Sequence, residues 1–164
     1  ESPYLQSLQA EIARMDARIS LTSQITEARH PDLELTDIYG KQIRLSSLAG
    51  KVVLLDFWSA ELGSSNALNA DLKELYRKYA DAPVGFEVYQ VAVDTSKPLW
   101  ITAVQEQQLP WISVSDLRGR SSVALGLYNV QRLPANFLID KEGTIVAKNI
   151  YGKSLEAKLD ELTK

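Results

Sequence analysis

The chain of 164 residues contains no cysteine. No disulfide can brace it, and no thiolate can serve in it as nucleophile or metal ligand. Histidine is nearly as scarce, with His30 alone. A Ser-His-Asp triad or a histidine-held metal therefore has almost no material to draw on. There is no basic excess, since 18 Lys and Arg against 21 Asp and Glu leave a net charge of −3. Such a balance gives no footprint for nucleic acid. Long apolar runs are also missing: the longest, Val52 to Leu55, is far short of the ~20 residues that span a bilayer. No G-x-S-x-G, phosphate-binding loop or dinucleotide fingerprint occurs, so no cofactor and no metal are expected.

What is present suits a soluble globular protein, with 45% apolar and 24% charged residues. The length fits one domain plus an appendage, large enough to bury roughly two-thirds of the unfolded surface without a disulfide or metal. The first residue is Glu1 rather than Met. That leads us to expect a processed or truncated piece, with any signal peptide or lipid-attachment site lying upstream.

Residues 3–28 read as a helix. Leu5, Leu8, Ile12, Met15 and Ile19 recur at heptad spacing, and Ser2-Pro3 supplies a cap with proline in the first turn. The stripe suits a helix docked on a neighbouring domain or a homodimer seam. Its polar flanks leave both open: Glu11 and Arg18 would pair across an antiparallel seam, while Glu11 and Asp16 would oppose each other in a parallel one. Residues 27–38, with His30-Pro31-Asp32, read as a linker, so that residues 1–30 form a connector and 31–164 a domain.

Within that domain, Asp37 to Leu45 reads as two short extended pieces around Tyr39-Gly40-Lys41. Val52 to Trp58 reads as a strand covered on both faces. Ser64 or Ser65 would cap a helix to Tyr79, with the stripe Leu68, Leu72, Leu75, Tyr76 and Tyr79. A strand over Phe86 to Val93 follows, and then a helix from Lys97 to Gln108 capped by Ser96. Ile112 to Val114 is extended, Arg118 to Leu127 helical, and Asn136 to Asp140 a strand. Lys141-Glu142-Gly143 turns into Thr144 to Asn149, and Ser154 would cap a last helix to Leu162. This is an α/β pattern with a mixed central sheet flanked by helices, behind an N-terminal helical extension.

Three blocks carry a family resemblance. The first runs from Pro31-Asp32-Leu33-Glu34-Leu35 through Gly40-Lys41 to Leu45-Ser46-Ser47-Leu48-Ala49-Gly50-Lys51. The second is Val52 to Ser65 with its following helix. The third is Leu133-Pro134-Ala135-Asn136-Phe137-Leu138-Ile139-Asp140 with Gly143. In this order and spacing, the chain over residues 31–164 resembles the thioredoxin-like superfamily. The nearest branch is the TlpA- and ResA-type (AhpC/TSA-related) thiol–disulfide oxidoreductases of the bacterial envelope. Trp100, Trp111 and the insert between them are similar to chains of Bacteroidetes-type bacteria. The resemblance implies a thioredoxin-like fold and a place in the periplasm or cell envelope, as a fragment of a lipoprotein or a larger protein.

It also implies where the chemistry would be. The family's W-C-x-x-C falls on Glu61-Leu62-Gly63-Ser64-Ser65, so the two cysteine positions hold Leu62 and Ser65. Leucine cannot ionise, and a serine hydroxyl neither forms a disulfide nor becomes a thiolate-like nucleophile. Catalytic residues are therefore expected to be none, and the chain is read as a redox-inactive member rather than an enzyme. An alternative is an oxidoreductase whose cysteines were lost or removed, and another is a structural dimerisation module built on the N-terminal helix. Asp56 matches the family's buried acid and should have a raised pKa if unpaired. Pro134 matches its cis-proline. The expected function is capture of an extended peptide or partner protein at Glu61, Leu62, Gly63, Ser64, Leu133 and Pro134. Trp100 and Trp111 are expected in the core or at its rim, and Glu87 and Asp94 among the solvated charges.

Overall fold

The computed structural model describes residues 30–61 and 63–164, with residues 63–65 by their backbone alone. The expected helix over 3–28 and its seam of Leu5, Leu8, Ile12, Met15 and Ile19 lie outside the described residues, as does Leu62. The strands are β1 (Glu34–Asp37), β2 (Gln42–Arg44), β3 (Val52–Trp58), β4 (Phe86–Ala92), β5 (Ile112–Ser115), β6 (Ala135–Ile139) and β7 (Ile145–Lys148). The helices are α1 (Gly63–Tyr79), α2 (Lys97–Glu106), α3 (Val123–Leu127) and α4 (Gly152–Leu162). Short 3-10 turns occupy Leu45–Leu48 and Gly119–Ser121.

The strands form one mixed sheet in the order β2-β1-β5-β4-β3-β6-β7. β3, β4 and β5 run parallel, while β6 opposes β3 and β1 opposes β5. β3 is buried along its whole length, as a strand apolar at every position but Asp56 requires. One of its faces carries Leu54 and Trp58 into a core shared with Leu72 of α1, Trp100 of α2 and Leu155 of α4. The opposite face carries Phe57, whose ring meets Tyr128 and Phe137, each at 6.2 Å between centroids. Trp100 and Trp111 are both buried.

Several boundaries differ from the sequence expectation, each for a local reason. β1 begins at Glu34, inside the stretch read as linker, because its register pairs Glu34 with Arg44 and Thr36 with Ser115. α1 starts at Gly63, which puts Ser64 and Ser65 within its first turn rather than at a cap. α4 starts at Gly152, so Ser154 is its third residue, and the N-cap Tyr151 makes no side-chain capping bond. α2 is capped by Ser96, whose Oγ accepts from Leu99 N at 3.3 Å, but it ends at Glu106. Gln108 then turns left-handed at φ 54°. The helix expected over Arg118 to Leu127 divides at Ser122, which is extended between the 3-10 turn and α3.

Asn136 ties the far side of the sheet to the start of α4. Its Oδ1 accepts from Ile150 N and its Nδ2 donates to Ile150 O, both at 2.9 Å. Removing the amide would leave both backbone groups of Ile150 unpaired, at about 1–3 kcal/mol each. Asn136→Ala is therefore expected to lower unfolding stability by about 2–4 kcal/mol, read by urea denaturation. A loss below about 0.5 kcal/mol, the scale of an ordinary surface change, would contradict this role.

Candidate functional site

The parallel strands β3 and β4 end side by side, and a buried acid just past β4 holds the turn that leaves β3. Asp94 is 3% exposed. Its Oδ1 accepts from Ser59 Oγ at 2.8 Å and its Oδ2 from Ala60 N at 3.0 Å. Ser59 Oγ in turn accepts from Glu61 N at 3.2 Å. This set fixes the turn that leads from β3 into α1. It also corrects the placement of Asp94 among solvated charges: two donors from the β3 turn satisfy its carboxylate, which is what permits burial.

Across from this turn, the Leu133–Pro134 peptide bond is cis, immediately before β6. Between the two lies a cleft of about 290 Å³ lined by Glu61, Asp94, Thr95, Arg120, Arg132 and Leu133, among others. It sits beyond the carboxyl ends of parallel strands, where open α/β sheets characteristically bind ligands. Of the residues expected to bind, the structure brings Glu61 and Leu133 to one cleft. Pro134 is exposed beside it. Gly63 and Ser64 are placed only as backbone in the first turn of α1, with Ser65 next to them. Arg120 and Arg132 were not anticipated; both are exposed and form no ion pair among the described residues. Nothing in their local sequence distinguishes them from other surface arginines.

Asp56 lies elsewhere, on the face of β3 covered by α1 and α4. It is 8% exposed, and burial raises its carboxyl to about 7 against one opposing hydrogen bond from Gln90. Gln90 Nε2 donates to Asp56 Oδ2 at 2.9 Å and to Asn69 Oδ1 at 2.8 Å, while its Oε1 accepts from Trp111 Nε1 at 2.9 Å. Asn69 Nδ2 passes the chain on to Gln107 Oε1 at 3.0 Å. A polar file thus crosses the core from β3 through β4 to α1 and the end of α2. Its sequence signal was Gln90 itself, a lone amide within the apolar strand Phe86–Ala92 that burial obliges to find partners. A second cavity of about 240 Å³ opens against Asp56, Asn136 and Tyr151.

The AhpC/TSA family model matches residues 26–148. The chain is 32% identical over 130 residues to a thiol–disulfide oxidoreductase ResA of Bacillus cereus, covering 79% of this chain and 72% of that one. Among solved structures, the thioredoxin domain of a thiol–disulfide oxidoreductase from Bacteroides vulgatus superposes with a TM-score of 0.77. That match has 28% identity and covers 85% of this chain and 98% of the other. A thioredoxin-like protein from Bacteroides vulgatus gives a TM-score of 0.72 at 38% identity, covering 82% and 86%.

Proposed function

The chain belongs to the AhpC/TSA family, in its thioredoxin-like thiol–disulfide oxidoreductase branch, and from that premise we propose that it is a redox-inactive member that captures extended peptide. The carrying observation is that the frame is kept while the chain has no cysteine at all. Exchange needs an attacking thiolate and a second thiol to resolve the mixed disulfide, and neither is available. What the frame keeps is a recognition surface. The cleft has an apolar side at Leu133, unpaired arginines on its lining, and Glu61 at the edge where α1 begins. An extended segment laid along Leu133-Pro134 would draw affinity from main-chain hydrogen bonds and selectivity from these side chains. By the same family argument, the domain works in the bacterial cell envelope.

The test is an amide-shift titration with a reduced, alkylated unfolded protein, a source of extended segments that cannot exchange disulfides. Saturable shifts confined to Glu61, Thr95, Arg120 and Leu133 are expected. A titration that leaves these amides unmoved would sink the reading. In parallel, the unmodified chain is expected to reduce insulin no faster than buffer with dithiothreitol.

A further inference from the structure

The second cavity belongs neither to the cleft nor to any chemistry assigned so far. It lies between α1 and α4, with a volume of about 240 Å³. Its walls are aliphatic, from Leu54, Leu68, Leu72, Leu75 and Leu155. For scale, a dry apolar cavity of ~150 Å³ accepts benzene. A chain of four to six carbons has room here.

The polar groups of the lining fall into two sets. Asn69 and Asn136 have both ends of their amides committed, to Gln90, Gln107 and Ile150. Asp56 Oδ1 and the buried Tyr151 hydroxyl have no partner among the described residues. The Tyr151 hydroxyl is buried without a partner and Asp56 Oδ1 faces the cavity with no donor from a described residue, so a ligand bringing donors would satisfy both. Charge selects among such ligands. The lining holds two carboxyls, Asp56 and Asp71, and no Lys, Arg or His. The start of α4 at Gly152 opposes them with only about half a unit of positive charge. Aliphatic walls, unmatched acceptors and a net negative lining describe a site for a small cation with an apolar stem.

The geometry points to a binding site for a primary alkylammonium group, its stem against the α1 and α4 leucines and its head donating to Asp56 Oδ1 and Tyr151 Oη. The group is supplied by a free aliphatic amine or by a lysine side chain. Binding draws Asp56 into its ionised form, since burying the cation is favourable only against a paired anion. The other groups facing Asp56 are Asp71 from α1, Gln90 from β4, Asn136 from β6 and Tyr151 before α4. The Tyr151 hydroxyl is pushed up to about 12 by burial and by the Asp56 charge, so it stays protonated. With Asp56 at about 7, the ionised fraction falls roughly tenfold between pH 8 and pH 6, and affinity should fall with it.

The experiment is an amide-shift titration of the whole chain with n-butylamine and, separately, n-butanol, at pH 8 and pH 6. Butylamine is expected to bind in the millimolar range at pH 8, moving amides of Leu68 to Leu75 and Gly152 to Leu155, and about tenfold more weakly at pH 6. Butanol should bind at least tenfold more weakly than the amine at pH 8, and Asp56→Asn and Tyr151→Phe should each weaken the amine. N-acetyl-lysine methylamide binding alongside butylamine assigns the site to lysine side chains, and its failure beside butylamine assigns it to free amines. Butanol matching butylamine, an Asp56→Asn variant that keeps full amine affinity, or no saturable shift with the amine would each overturn the proposal. These shifts fall on α1 and α4, away from Thr95 and Leu133, so the outcome is independent of the peptide titration.

Discussion

Asp56→Asn is expected to make the fold more stable by about 2–4 kcal/mol at pH 8 and to leave it within about 1 kcal/mol of the parent at pH 4. The cause is desolvation: the buried carboxyl sits at about 7, against an ordinary value of 3.8. Between those values the native state binds the proton and the unfolded chain does not. The unfolded state therefore holds fewer protons, and unfolding free energy falls as pH rises from about 4 to about 7. Above about 7 the carboxylate is ionised in both states and the full penalty is present. A gap of about three pKa units corresponds to about 4 kcal/mol, an upper figure for what asparagine can recover. Asparagine keeps the shape and an oxygen for Gln90 Nε2, so the polar file should survive. Asp32 behaves in the opposite sense. Partial burial raises its pKa, but the hydrogen bonds from Ser46 and Leu33 N and the Arg44 charge together lower it, so its contribution is lost only as pH falls through the acid range below 3.8. Urea denaturation from about pH 2 to about pH 8.5 covers both windows and separates them. Parallel pH dependences for parent and variant would show that the Asp56 pKa is the same in the folded and unfolded states, against the raised value.

The contrast between Asp56 and Asp94 shows what the sequence can reveal. Asp56 interrupts an unbroken apolar strand, and in such a strand both faces are covered, so its burial and raised pKa follow from position. Asp94 stands just past the end of β4, where an acid would ordinarily be solvated. Its burial depends on Ser59 and Ala60, 35 and 34 residues earlier in the chain, and no periodicity reports a pairing over that distance. The same limit applies to the cleft. Glu61 and Leu133, which line it, are marked by the family frame, whereas Arg120 and Arg132 reach the cleft only through the turn and short helix that precede β6. The strands were read to within a residue or two at most ends, since their apolar runs are bounded by turn residues. The helix starts were less legible, because α1 and α4 both begin at a glycine ahead of the serines that resemble caps. Ser96 is legible as a cap because its Oγ accepts from the N3 amide of α2, Leu99 N.

Placing cysteine at both positions, with Leu62→Cys and Ser65→Cys together, is expected to turn this frame into a working dithiol. Residue 62 directly precedes Gly63, where α1 begins. A thiol placed at the start of a helix has its thiolate favoured by unpaired N–H groups and the helix dipole. Attack of that thiolate on a substrate disulfide would break the S–S bond, form a mixed disulfide and release one substrate thiolate. The thiolate at position 65 would then attack the sulfur at position 62, releasing the second substrate thiolate and leaving the protein disulfide for dithiothreitol to reduce. Insulin reduction should rise at least tenfold above the cysteine-free chain, and oxidation should remove two hydrogens by mass. Leu62→Cys alone, mixed with disulfide substrate without dithiothreitol, should accumulate mixed disulfide, because the protein holds no second thiol to resolve it. A double variant that forms its disulfide yet does not turn over would place the loss in substrate access, where Glu61 stands at the position the resemblance gives to tryptophan. One that forms no disulfide would mean that the backbone at the start of α1 drifted once its thiols were gone. Activity would mean the opposite: the frame is held by Asp94, Ser59 and the core around Trp58, none of which needs sulfur, so the fold outlasted its chemistry.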